Sequence, residues 1–366
     1  MHYLVTELIT LDHANEYVLF FDDRILATKP YEASNVRVRR FPYYQYKRYL
    51  PLAYSHMLIS AFVAREGLDI FHAPGTILPY LYKGPAVITV HDFAIYEHPD
   101  WFPSKYLSRQ QISTQMLVPS SIKRARHIIA VSEYTKHYLK KLFRVADQKV
   151  SVIPLGVAPE AVDDALSQQV RKKHQLPENY FLFLGTIEPR KNVEGLVRAF
   201  AAAFKNLTTA TTLVIAGGRG WKNTEIFRAI ADTNRALEPW KDGHPPVRFL
   251  GPVSHEDKLG LIAGALAFVW PTLYEGFGLP VVEAMQLGAP VLTSSTTSLP
   301  EVVGDAALMV DPKNEQAIAK ALTRLDHDAA LRGELAQKGR ARAQQFSWKT
   351  TAEQTLAVFQ RAVDQK

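Results

Sequence analysis

Residues 266–288 read LAFVWPTLYEGFGLPVVEAMQLG. The stretch predicts a buried strand, a glycine-rich turn and a helix. Leu266–Trp270 is an apolar run of strand length. Gly276 and Gly278 allow close backbone approach and unusual dihedrals. Pro280 suits the first helical position, and Gly288 suits the site just past the helix end. Strand, turn and helix N-terminus together make an anion site, because free N–H groups and the helix dipole converge there. Two carboxylates flank it, Glu275 in the loop and Glu283 in the first helical turn.

Phosphate alone would not call for acids at that place. Ionised carboxylates are strong acceptors and suit a ligand that also carries hydroxyls. Phosphate plus hydroxyls points to a nucleotide sugar. The plain alternative makes Glu283 a complement to the helix dipole and Glu275 a solvated loop acid. Either glutamate alone fits that alternative; the whole string with both acids favours the ligand.

With 366 residues, the chain exceeds one ordinary core and predicts two domains. Nearly half of it is hydrophobic, a globular composition. It has no cysteine, which excludes disulfides, thiolate metal sites and a cysteine nucleophile. No apolar run approaches the roughly 20 residues of a spanning helix, and no basic-then-apolar leader opens the chain. The expected location is therefore the cytoplasm. A net charge of +7 fits a solvated basic surface, anionic substrates, an anionic membrane face or nucleic acid. No nucleic-acid module is present in the sequence, so no nucleic-acid partner is expected.

In chain order, Met1–Leu11 has helical spacing, Asp12–Asn15 breaks it, and Tyr17–Phe21 and Val36–Phe41 read as strands. In FPYYQYKRYL, Phe41–Leu50, aromatics interleave with Lys47 and Arg48. That suits either packing on the core or an interface with anionic lipid. Leu68–Phe71 and Ala86–Val90 are strands that end at His72-Ala73-Pro74-Gly75 and at His91-Asp92. Ligands of open α/β sheets bind outside the carboxyl ends of strands, which makes His72, His91 and Asp92 candidates. A lone histidine is otherwise a structural one. Lys105–Ala125 predicts a helix kinked near Pro119. Lys123, Arg124 and Arg126 precede strand His127–Val131, Ser132 caps the helix through Lys141, and Val150–Ile153 is a strand.

The pattern restarts after Gly156. Ala158–Glu178 is polar and helical. Strand Tyr180–Leu184 leads into GTIEPRKN, where Asn192 is placed to cap helix Val193–Ala203. Arg190 and Lys191 sit at a strand's carboxyl end, an anion position rather than a merely solvated basic pair. Leu213–Ala216 precedes Gly217-Gly218-Arg219-Gly220, a tight turn that matches no phosphate-loop fingerprint. Arg248–Leu250, Leu266–Trp270, Pro290–Thr293 and Leu308–Val310 continue the strands. Lys313–Gln345 is helical, with Asp326-His327-Asp328 assigned to capping and solvation rather than to a metal. Ser347 caps a last helix, Lys349–Val363. Alternating strands and helices predict two doubly wound parallel sheets.

These strings together resemble retaining glycosyltransferases of family 4, with the GT-B architecture. The specific signature is Glu275 and Glu283 within YEGFGLPVVEAMQLGAPVLTS. FLGTIEPRKN, VITVHD, VSEYTK, VIPLGV, FLGPVSHEDK and SLPEVVGDAALMVDP support it. Within the family the chain is most similar to bacterial mannosyltransferases of O-antigen or exopolysaccharide synthesis. The resemblance implies two Rossmann-like domains facing across a cleft. They would span residues 1–157 on the acceptor side and 158–348 for the nucleotide sugar, with a helix at 349–366 returning to the first. It implies that Arg190 and Lys191 bind the donor diphosphate, Glu283 the ribose, and Glu275 the transferred sugar. The backbone of Gly276, Phe277, Gly278 and Leu279 would meet sugar and phosphate. Val253 would lie near the base, and His91 near the reacting centre. The implied donor is GDP-mannose and the acceptor a glycan or lipid-linked glycan.

The implied mechanism is retaining transfer with no metal and no cofactor, Arg190, Lys191 and the helix start at Pro280 offsetting leaving-group charge. Family members open with a strand and glycine-rich loop ahead of a helix like Met1–Leu11, and this chain begins at the helix. The expectation is a first sheet with exposed edges, weakened transfer, and a homodimer as one way to cover the edge. A peripheral place on the inner membrane face is expected from FPYYQYKRYL. Three activities stay open: sugar transfer, donor binding without transfer, and another GT-B reaction such as epimerisation or phosphorolysis.

Overall fold

The continuous apolar runs become parallel strands. The computed structural model describes residues 1–22, 31–41, 52–103, 113–207, 210–240 and 243–365. The described chain divides into two compact units. The first comprises Met1–Phe93, Leu107–Gly156 and Ser347–Lys366, the second Ala94–Tyr106 and Val157–Phe346.

In the first unit, β1 (Tyr17–Asp22) pairs in parallel with β2 (Val36–Phe41). A separate sheet has the order β3 (Phe71–Ala73), β4 (Ala86–Val90), β5 (His127–Ala130), β6 (Val150–Val152), all parallel. The described strands of this unit are thus divided between two sheets, with Phe20 of β1 set edge-on to Phe71 of β3 at 6.3 Å. β4, AVITV, is buried along its whole length, as a strand covered on both faces must be. Helix His2–Leu11 stops at Asp12. The Asp12 carboxylate accepts from the amides of Ala14 and Asn15 and from Tyr17 Oη at 2.6 Å, which turns the chain into β1. Burial opposes this carboxylate, but the bonds from Tyr17 and Asn15 outweigh it and lower its pKa.

The last helix, Trp348–Asp364, belongs to the first unit. Ser347 Oγ caps it by accepting from the amide of Thr350. Val358 and Ala362 pack on Val87, Ile129 and Ile153, while Ala352 packs on Leu4 and Leu8. Fully burying a leucine contributes about 1.5–3 kcal/mol, so this seam is a principal tie between helix and sheet. The basic cluster before β5 is partly structural. Arg124 donates to the carbonyls of Pro79, Tyr80 and Tyr82, and Arg126 donates to Ala362 O at 2.9 Å. Of the expected helix Lys105–Ala125, residues 104–112 lie outside the described residues. The remainder is a wider turn, Ser113–Leu117, running into helix Val118–Arg124 at Pro119. In FPYYQYKRYL, residues 42–50 also lie outside the described residues.

The second unit is built on one six-stranded parallel sheet. Its strands are β7 (Tyr180–Leu184), β8 (Thr212–Ala216), β9 (Val247–Gly251), β10 (Ala267–Trp270), β11 (Val291–Ser294) and β12 (Leu308–Val310). The order is β12-β11-β10-β7-β8-β9. Residues Tyr180–Phe183 and Ala267–Trp270 are all 1% exposed or less, which explains why these runs read without alternation. The chain winds outward from β7 through β8 to β9, then returns to the other side of β7 with β10. The order therefore reverses between β7 and β10, which marks the ligand crevice of a doubly wound sheet.

Several local expectations change. The expected helix Ala158–Glu178 is confined to Asp164–Lys173, because Asp163 accepts from the amide of Leu166 and so fixes the start. The segment 313–345 is two helices, Glu315–His327 and Ala329–Ala343, broken at Asp328, whose carboxylate caps the second. Asp326 is not solvated. It is buried and accepts from Thr211 Oγ1 at 2.8 Å. Asn192 does not cap with its side chain. It adopts a left-handed φ of 56°, and Nδ2 donates to the carbonyls of Pro271 and Pro312. Among the described residues no helix is long and apolar enough to cross a membrane.

Candidate active site

The loops after β7 and β10 leave the sheet side by side at the switch point. After β7, Pro189–Lys191 forms one turn of 3-10 helix. Its Arg190 carbonyl accepts from the amide of Leu273 at 2.8 Å and from Thr272 Oγ1 at 2.8 Å, both in the loop after β10. That stitching brings together side chains 84 positions apart. Lys191 Nζ bonds Glu275 Oε1, and Arg190 Nη1 lies 3.5 Å from Glu275 Oε2. Trp270 Nε1 donates to Glu275 Oε1 at 3.2 Å. Glu188 takes the other side of the Arg190 guanidinium.

Both Lys191 and Glu275 are 7% exposed. Neither is the solvated loop residue of the plain alternative: the lysine is buried because the carboxylate neutralises it. An isolated charge at such a place costs several kcal/mol, so the two are there together. Lys191 Nζ also lies over the Trp270 ring, 4.8 Å from its centroid.

The glycine-rich turn behaves as its sequence implied. Gly278 has φ +94°, and a side chain there would meet Leu299 at 2.5 Å. Helix Leu279–Gln286 follows with Pro280 as its second residue, and Gly288 beyond its end has φ +76°. No side chain caps the helix start. The Phe277 side chain is buried edge-on against Phe346, so what this residue offers a ligand is its backbone. Leu279 is half-buried at the first helical position.

Glu283 is not in the first turn. It is the fifth helical residue, because the helix begins one residue before the proline. That places it beyond reach of the free amides at the helix start. Its carboxylate instead pairs with Lys258 Nζ at 2.7 Å. Lys258 stands on helix His255–Ala263, which follows β9 and is capped by Ser254. Val253, half-buried, lies in the short connection before that cap. Sequence reasoning missed Lys258, Trp270, Thr272 and the Thr297–Ser298 pair described below.

His72, His91 and Asp92 belong to the first unit. His72 is inside β3, in register with Val87, and not in the turn beyond the strand. The apolar run Leu68–Phe71 is not the strand, because pairing with β4 starts only at Phe71. His72 Nε2 bonds Thr89 Oγ1 at 2.9 Å, and its ring rests against Phe359. Burial, with the nearby His91, pushes the His72 pKa down to about 4. His91 and Asp92 are exposed at the end of β4. A carbonyl only accepts, so His91 Nε2 donates to Pro74 O at 2.9 Å.

The His72 shift has a sign that can be checked. A histidine with a lowered folded pKa binds protons less readily when folded than when unfolded. Its stabilising contribution is complete above the unfolded value near 6.5 and declines as pH falls toward 4. Between pH 7 and 5 the expected loss is about 2 kcal/mol at ~1.4 kcal/mol per pKa unit. Urea unfolding of the wild type and His72→Gln at both pH values measures it. An equal pH slope in the two proteins would rule His72 out as the source.

Among the described residues, no group of three or more His, Asp or Glu is placed to hold a metal ion. The family model for "Glycosyl transferases group 1" matches residues 167–342, and that for "Glycosyltransferase Family 4" matches residues 1–161. The chain is similar to O-antigen chain mannosyltransferase B of Escherichia coli, with 33% identity over 308 residues, 83% of this chain and 77% of that one. It is 31% identical over 246 residues to a serotype-specific mannosyltransferase of E. coli, covering 66% of this chain but spanning only 29% of that protein's length. In architecture it is similar to Anabaena Alr3699/HepE, solved in complex with UDP and glucose, at a TM-score of 0.73 and 18% identity over 98% of this chain and 95% of that one. With two Rossmann-like units and a last helix returned to the first, the chain belongs to glycosyltransferase family 4, with the GT-B fold.

Proposed function

We propose that the protein is a retaining hexosyltransferase that moves mannose from GDP-mannose to a glycan or lipid-linked glycan without a metal ion. The observation that carries this reading is the buried grouping of Lys191, Arg190 and Glu275 at the switch point of the second sheet. Two cations beside an uncapped helix start suit a diphosphate. The carboxylate between them suits sugar hydroxyls. The similarity to O-antigen mannosyltransferase B supports mannose as the sugar.

In the proposed reaction the anomeric C–O bond to the diphosphate breaks, and a bond from the acceptor hydroxyl oxygen to the same carbon forms on the same face. The acceptor proton passes to a leaving diphosphate oxygen, and nucleoside diphosphate departs. Arg190 and Lys191 offset the charge growing on that leaving group, as a metal would elsewhere. The arriving diphosphate competes for Lys191, which frees the Glu275 carboxylate to accept from the sugar. Glu283, held by Lys258, would accept from the ribose one helical turn further on. Val253 would lie toward the base, and His91 with Asp92 would serve the acceptor side.

The test is a thermal-shift screen with GDP, UDP, ADP and their sugars, followed by product analysis in EDTA. GDP and GDP-mannose should raise the melting temperature most, and transfer should persist in EDTA with the anomeric configuration kept. Loss of turnover in EDTA, restored by a divalent cation, would overturn the metal-free assignment. Stabilisation without product from any acceptor would favour a donor-binding protein that does not transfer.

The proposed location is the cytoplasm, peripheral on the inner membrane face. Tyr80 and Leu81 in the first unit are 46% and 48% exposed, beside Arg124, which donates to the Tyr80 carbonyl and follows Lys123. Sedimentation with anionic vesicles at low salt should carry the protein down. Tyr80→Ser with Leu81→Ser should weaken that binding severalfold, and equal binding by both proteins would remove this surface from the interface.

A further inference from the structure

Three left-handed residues lie in the loops that carry Lys191, Glu275 and their neighbours: Asn192 at φ 56°, Gly278 at φ 94° and Thr297 at φ 61°. Glycine adopts this region freely and asparagine tolerates it. Threonine does not, because its branched Cβ crowds the backbone, so such a residue is a true outlier. Thr297 lies in the loop SSTTSLP after β11, the strand next to β10.

What the unfavourable conformation holds in place is the Glu275 peptide. Thr297 Oγ1 accepts from the Glu275 amide at 3.3 Å and donates to Thr296 O at 2.7 Å. Ser298 Oγ, fully buried, donates to the Glu275 carbonyl at 3.0 Å. Leu299 packs against Gly278 from the same loop. Both backbone groups of Glu275 are therefore tied to neighbouring hydroxyls, while its side chain points at Lys191 and Arg190.

We infer that Thr297 is a positioning residue: its strained backbone presents a hydroxyl that fixes the Glu275 peptide, and so aims the carboxylate at the transferred sugar. This deepens the reading proposed above and rests on it for the sugar. Backbone strain persists at functional sites when surrounding structure over-determines it. A loop with only a structural task would be better served by glycine at position 297.

That contrast gives the test. Thr297→Gly keeps the left-handed backbone, relieves the crowding and deletes the hydroxyl. Its melting temperature should equal or exceed that of the wild type, while kcat for sugar transfer falls at least tenfold. Affinity for the nucleoside diphosphate alone should stay unchanged. Thr297→Ser, which restores the hydroxyl, should recover wild-type kcat. In a double-mutant cycle, Thr297→Gly should add little once Glu275→Gln is present. The same cycle read by urea unfolding needs no activity and separates the two claims. Coupling in stability with a wild type that transfers no sugar would keep Thr297 tied to Glu275 and remove the transferase reading. Wild-type kcat in Thr297→Gly, or additive effects in both readouts, would overturn the inference.

Discussion

Lys191→Ala should abolish most turnover, lowering kcat by roughly 10²–10³, the loss seen when one preorganised charge-stabilising donor is removed. The same change should also destabilise the protein, because Glu275 is 7% exposed and would lose its closest cation. Breaking a buried pair from one side costs about 3–5 kcal/mol. Here the cost should fall at the low end, since Arg190 and Trp270 Nε1 still face the carboxylate. A drop in activity could then reflect unfolding alone. Lys191→Met with Glu275→Gln removes both charges while keeping their shapes and should recover most of the stability. If the pair served only the fold, that double variant would also recover turnover. The proposed role predicts that it stays inactive when assayed well below its melting temperature. Turnover within threefold of wild type would sink the assignment of Lys191 and Glu275 to the chemistry.

That grouping was only half legible in the sequence. GTIEPRKN and YEGFGLP each read as a strand-end loop, because strand β7 and strand β10 are unbroken apolar runs and the polar residues that follow stand out. That Lys191 and Glu275 are buried on each other depends on β7 and β10 being neighbours, a strand pairing across 86 positions with no local signature. Thr297 was hidden for a further reason, since SSTTS looks like any polar turn and its left-handed backbone is set by packing against the neighbouring loop. Glu283 was placed one position too early, as the fourth helical residue and so in the first turn, because proline was taken as the first. His72 was placed beyond its strand because apolar character, rather than pairing to β4, was used to find the strand. Local chemistry thus located the elements of the second sheet within a residue or two. Tertiary pairing decided registers, burial of charge, and the second carbonyl each side chain would meet.

The turn GGRG, legible only as a tight turn, carries a second large expected effect. Gly217 follows β8 directly, with φ +132°, a backbone state essentially confined to glycine. Its amide donates to Gly251 O at 2.8 Å, while the amide of Gly185 donates to Ala216 O at 2.9 Å. These bonds draw three strand ends together, and a Cβ on Gly217 would stand 2.0 Å from the backbone oxygen of Gly185. No rotamer can relieve that contact, because the neighbour is main chain. Gly217→Ala should therefore suffer both the dihedral cost, on the order of 1–3 kcal/mol, and overpacking of about 1–3 kcal/mol. Of the 5–15 kcal/mol that typically holds a domain folded, roughly a third would be lost. Gly185 opens the segment that ends at Arg190 and Lys191, so any backbone shift that accommodates the methyl moves the cations as well. Gly218→Ala is the matched control, since its φ is not positive and a Cβ there would meet nothing within 4 Å. Followed by urea unfolding, Gly217→Ala should lose several kcal/mol in the transition of the second unit, and Gly218→Ala should stay within about 0.5 kcal/mol of wild type. Equal loss in the two variants would mean that the close approach of β7 and β8 at this turn is not what Gly217 serves.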